Sequence, residues 1–177
     1  MRIEGTPGPD NLAGSNGSDS ILAKGAADLV HARGGADTVH GGGGIDEIYM
    51  GRGSRGGDGE IAYGNDGSDR IYGQQGADRI YGGRGSDVMY GGPGNDVAYG
   101  QHGPDSAYGG RGRDYIILVF GSDIAVAGQG NDQVEVGYDT RTDVVNCGAG
   151  FDKVYYHGRV DESDRLIKCE WIEVIGE

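Results

Sequence analysis

The chain has 177 residues, of which 39 are glycine, and its mean hydropathy is −0.51. With 36 % apolar residues a large compact core is excluded, and four prolines without a G-x-y period exclude collagen. The formal net charge of −13 works against nucleic acid and anionic membranes and favours cations as partners.

From the N-terminus, MRIEGTPGPDN carries no apolar stretch of the kind found in a secretory signal, although a secreted protein in mature form would read the same. The chain has no run of 18 apolar residues, so no transmembrane segment is expected. Its acidic residues form a ladder. They stand at Asp10, Asp19, Asp28, Asp37 and Asp46, then Glu60, then Asp69, Asp78, Asp87, Asp96, Asp105, Asp114, Asp123 and Asp132, and finally Asp143, Asp152 and Asp161. Nearly every step is nine residues. Between Asp46 and Asp69 the step is 23, which fits if Glu60 takes an aspartate slot and five extra residues lie within 51–59. Between Asp132 and Asp143 it is eleven, placing a two-residue insertion near 137–142.

Two places after each acidic residue comes an apolar slot, as in Ile71, Ile80, Met89 and Ala98. Three-residue alternation framed by glycine turns predicts very short strands, which survive only when stacked units bury a continuous thin core. Glycine pairs supply turn conformations that a Cβ would hinder. Two nonapeptides then complete an 18-residue coil. The expected fold is all-β, a parallel β-solenoid of about eight coils over residues 1–155, with the apolar tail 156–177 as a C-terminal cap.

The phrases GGGGIDEIY (41–49), GGRGSDVMY (82–90), GGPGNDVAY (91–99) and GGRGRDYII (109–117) resemble the haemolysin-type, or RTX, calcium-binding repeat family, whose pattern is G-G-x-G-x-D-x-(large apolar)-x. The resemblance spans roughly residues 5 to 164. It implies a β-roll with multiple Ca²⁺ ions between successive turns, held by aspartate carboxylates and turn carbonyls. The implied metal residues are Asp10, Asp19, Asp28, Asp37, Asp46, Glu60, Asp69, Asp78, Asp87, Asp96, Asp105, Asp114, Asp123, Asp132, Asp143 and Asp152. Stacked about 4.8 Å apart, such carboxylates would repel and take up protons unless a cation lay between them. No Cys/His cluster has zinc spacing, and magnesium demands a rigid octahedron, so calcium fits best.

Several turns depart from the pattern. AKGAAD (23–28) lacks glycine at the first and fourth positions, LVFGSD (118–123) begins with bulky groups, and Arg141 and Arg159 replace the fourth-position glycine. Distorted or empty sites are expected there, and Glu60 sits beside an insertion. The run YIILVF (115–120) reads as extra core with an irregular turn, or as a seam for a partner. Cys147 and Cys169, in segments resembling the end of secreted bacterial calcium-binding repeat proteins, are expected to form a disulfide. That pairing suits an oxidising compartment, secreted or at the cell surface.

The acidic residues are repeated, with no pair set apart for acid/base work, and no nucleophile is paired with a base. A non-enzymatic calcium-dependent folding module is expected. The other reading is a calcium-stiffened structural, filament-forming or adhesive protein that self-associates or binds a cell-surface partner. Its interface would be two outward files, Tyr49, Tyr72, Tyr90, Tyr108 and Tyr63, Tyr81, Tyr99. Rings one coil apart should stack, with the insertion able to displace the first pair.

Overall fold

A computed structural model describes residues 1–53, 59–137, 139–158 and 162–175. Among the described residues nineteen strands alternate between a ten-stranded and a nine-stranded parallel sheet, so each coil contributes one strand to each, and the roll makes about nine turns. Among the described residues no helix is long and apolar enough to cross a membrane.

The register is that of the repeat. Val88–Pro93 pairs with Ser106–Arg111 through Met89 opposite Ala107, Tyr90 opposite Tyr108 and Gly92 opposite Gly110. Residues 54–58 of the first insertion lie outside the described residues, and the register continues across both insertions without a slip. Ile48 pairs with Ile71 across the first, and Ala125 with Val145 across the second. A one-residue slip would turn every inward side chain to the outside, so the apolar slots hold the register.

Most strands are six residues long rather than three. In Arg70–Gln75 the first inward slot is Ile71 and the second is Gly73, which alternation of side chains could not reveal. Glycine at this second slot also keeps a needed space open: a Cβ at Gly82 would lie 2.6 Å from Asp87 Oδ2. Where the repeat deviates, bulk fills the slot instead. Met50, Leu118 and Tyr156 are all buried, and they thicken a core otherwise built from Ile21, Ile48, Ile80, Met89 and small residues. In the 115–120 run Ile116 and Leu118 are core, while Phe120 stays exposed and stacks on His102 with ring centroids 5.2 Å apart.

The turns need left-handed backbone. At Gly85 φ is +132°, and a Cβ there would lie 1.6 Å from the carbonyl oxygen of Gly67. Lys24 and Ala26 adopt φ of 91° and 71° without the glycine advantage, so AKGAAD folds like the glycine turns and still delivers Asp28.

Residues 156–177 supply the final strand of each sheet, Arg165–Ile167 and Trp171–Ile175. Cys147 and Cys169 form a disulfide between the strand Val144–Ala149 and the connection joining these last two.

Candidate calcium-binding turns

Each acidic slot lies just before a strand, where the chain leaves a glycine turn and the side chain points into it. From Asp28 to Asp152 every slot is at least 96 % buried, Glu60 included. Two columns result. In one, the backbone N–H of each aspartate donates to Oδ1 of the aspartate one coil on, running from Asp10 through Asp28, Asp46, Asp69, Asp87, Asp105 and Asp123 to Asp143 at 2.7–2.9 Å. In the other, Asp19 donates to Asp37, and Asp78, Asp96, Asp114 and Asp132 each donate to the next acid, ending on Asp152.

One carboxylate oxygen is thus tied to backbone and the other is left over. Oδ2 of Asp28, Asp37, Asp46, Asp69, Asp78, Asp87, Asp96, Asp114, Asp132 and Asp152 is buried without a hydrogen-bond donor. These oxygens face more oxygen. The position of a Cβ at Gly91 is 2.5 Å from Asp96 Oδ2 and 2.6 Å from the Gly109 carbonyl, so carboxylate and next-coil carbonyl flank the same point. Among the described residues no three His, Cys, Asp or Glu side chains gather into a metal-binding group. Each turn offers one acidic side chain together with backbone carbonyls, an all-oxygen donor set suited to a hard cation such as Ca²⁺.

Burial without a counter-charge raises the carboxyl pKa values. Desolvation is the largest cause throughout, partly offset by the backbone N–H bond. It lifts Asp78, Asp87 and Asp123 to about 6, Asp69, Asp96, Asp114 and Asp143 to about 7, and Asp105 to about 8. Asp28, Asp37, Asp46, Asp132 and Asp152 are raised for the same reason.

The predicted positions are not equivalent. Asp10 and Asp19 have Oδ2 bound within their own turns, by the Thr6 and Ser15 N–H groups at 2.6 Å and by the two hydroxyls. The N-terminal ammonium, 2.8 Å from Oδ1, and the Ser15 N–H hold Asp19 below the ordinary carboxylate range. Glu60 keeps its place, but both its oxygens are buried without donors, and its N–H reaches Asp78 Oδ1 at 3.3 Å. Burial first, then Asp78 and Asp37, push it to about 9. In LVFGSD, Asp123 still accepts from Asp105 at 2.7 Å. The insertion brings Asp139 to the Gly121 N–H, at 2.8 Å, in a coil where the glycine pattern has lapsed.

Asp161 lies outside the described residues. The slot after Asp143 belongs to Asp164, which accepts the Asp143 N–H at 2.8 Å, and the slot after Asp152 belongs to Glu170, at 3.0 Å. The signal was present, since Asp164 and Glu170 each stand two residues before an apolar slot, Leu166 and Ile172. A second ladder escaped sequence reasoning altogether. Ser18, Ser68, Asn95 and Asn131 accept the N–H of Ala36, Ser86, Arg113 and Phe151 one coil on.

The tyrosine files stack as expected. Tyr49, Tyr72, Tyr90 and Tyr108 succeed one another at 4.7–5.0 Å, and Tyr63, Tyr81 and Tyr99 at 4.8 Å. The insertion leaves the first pair undisplaced, and His31 and His40 extend the two files.

Two parallel sheets wound from stacked nonapeptides, with a buried acid in each turn from Asp19 to Asp152, define a β-roll of the calcium-binding repeat class. The family model described as RTX calcium-binding nonapeptide repeat (4 copies) matches residues 4–38, 13–48, 55–89, 63–98, 90–125 and 99–134. The chain belongs to that family. No curated protein shows detectable similarity to it.

Proposed function

We propose that this chain is a non-enzymatic, calcium-responsive folding module of a secreted or cell-surface protein. Calcium held between successive glycine/aspartate turns would drive it from a self-repelling coil to the roll. The observation that carries this reading is the row of buried Oδ2 atoms without donors, set against backbone carbonyls. A buried carboxylate with neither counter-charge nor donor opposes folding, and a cation bound only by the folded state reverses that by mass action. Asp28 through Asp152 are the proposed side-chain ligands. Asp10 and Asp19 would bind most weakly, because Thr6 and Ser15 must first release them. The disulfide supports an oxidising destination.

A chelated sample should show little β-sheet circular dichroism and a large hydrodynamic radius, and millimolar calcium should restore both to folded values. No change in either on adding calcium would refute the switch.

The tyrosines are read as lateral shielding of a weak core rather than as an interface. Their ring faces cover one another, over inward slots as small as Ala62, Ala98 and Ala107. Replacing Tyr72, Tyr90 and Tyr108 together with serine should unfold the calcium-loaded monomer. A stable monomer that has lost only self-association would favour the adhesive alternative.

A further inference from the structure

Outside the turns' interior, one surface notch carries chemistry that calcium binding leaves unused. It is a cavity of about 380 Å³ on the face of the nine-stranded sheet, lined by Asn16, His31, Arg33, Tyr49, Arg52 and Gln74. On a chain of net charge −13, no acidic side chain among the described residues lines it. Ion pairs among the described residues involve the N-terminal amine, Arg2, Lys24, Arg84, Arg141 and His157, but neither Arg33 nor Arg52. Pairing of Arg33 with Gly51 and of Gly34 with Arg52 puts the two arginines on adjacent strands, one register step apart. His31 is held by stacking on Tyr49 at 4.9 Å.

The backbone shapes the notch. Arg33 and Gln74 adopt φ of 80° and 71°, left-handed conformations that glycine enters freely and other residues enter at a cost. The equivalent slot is glycine in some coils, as at Gly51, Gly92 and Gly110, and another left-handed side chain in others, Lys24, Asn65 and Gln101. Gly51 itself forms the gap between the two, and a Cβ there would lie 1.7 Å from the Arg33 carbonyl. The strained side chains thus stand as walls on either side of an obligate gap.

We propose that this notch binds a tetrahedral oxyanion, the sulfate or phosphate group of an ester, between Arg33 and Arg52. Guanidinium groups present paired N–H donors that match such oxygens, and an anion between two that line one notch offsets their like charge. His31, Asn16 and Gln74 add further donors at the rim.

The test titrates the full, calcium-loaded chain with methyl phosphate and with methyl sulfate at fixed ionic strength, with chloride as control, and tracks backbone and arginine side-chain N–H resonances by NMR. At least one ester should give saturable shifts centred on Arg33, Gly51 and Arg52, and the tighter one identifies the group. Arg33→Gly and Arg52→Gln should each weaken binding at least about tenfold, the loss expected for one charge-assisted contact. Arg33→Gly should also unfold at a temperature no lower than the parent, because glycine relieves the left-handed strain. Arg111→Gln, outside the notch, should bind as the parent does. The proposal is overturned if neither ester gives saturable shifts, if chloride produces the same shifts, or if Arg33→Gly binds as tightly as the parent.

Discussion

In the absence of calcium, the roll should lose stability as pH is raised from about 4 to 8, the reverse of ordinary acid denaturation. Asp69, Asp78, Asp87, Asp96, Asp105, Asp114, Asp123 and Asp143 have folded-state values of about 6 to 8 where the reference is 3.8, with burial as the leading cause. A carboxyl whose folded pKa is raised binds its proton more tightly in the roll than in the coil. Its contribution is therefore fully present below about pH 4 and is lost as pH rises through the folded value. Calcium inverts the sign, because ion and proton compete for the same oxygens. The calcium concentration at half-folding should climb steeply as pH falls below about 7. Thermal or urea unfolding across pH, with chelator and with saturating calcium, checks both limbs. Two curves of the same slope would mean that the carboxylates are not where calcium acts.

Asp96→Asn should change the sign of its effect with the same switch. Asp96 lies in the regular turn GGPGND. Its Oδ1 accepts the Asp78 N–H at 2.8 Å, and its Oδ2 is buried without a donor. Asparagine keeps the accepting oxygen and removes the buried charge. The metal-free roll at pH 8 should gain on the order of 4 kcal/mol, from a carboxyl raised from 3.8 to about 7. With saturating calcium the same variant should be less stable than the parent, because a charged ligand has become a neutral one. Denaturant midpoints of parent and variant in saturating calcium, and the pH at which each loses its β-sheet circular dichroism in chelator, give the comparison. Stabilisation under both conditions would remove Asp96 from the ligand set.

Much of this architecture was legible in the residues because the period is written in side chains. The nine-residue step fixed the coil and the parallel register, and Ile71, Ile80 and Met89 marked the inward slot. Tyr72, Tyr90 and Tyr108 marked the stacked outer face. Features carried by backbone were not legible. Glycine at the second inward slot shows no alternation, so six-residue strands read as three. The bond from each aspartate N–H to the next Oδ1 has no side-chain signature beyond the aspartate itself, yet it decides that one carboxylate oxygen per turn is left for an ion. Asp161 kept the nine-residue count and Asp164 broke it. The structure nevertheless gives the slot to Asp164, because Leu166 two places on fits opposite Val145. Departures such as Lys24 and Ala26 looked like defects, and the backbone accommodates them through left-handed φ.

Anomalous scattering from crystals grown with calcium tests the central claim most directly. Peaks are predicted inside the turns, beside Oδ2 of Asp69, Asp78, Asp87, Asp96 and Asp114 and within about 2.3–2.6 Å of carboxylate and carbonyl oxygens. Turns of a folded, calcium-saturated roll without a peak at any of these aspartates would contradict it.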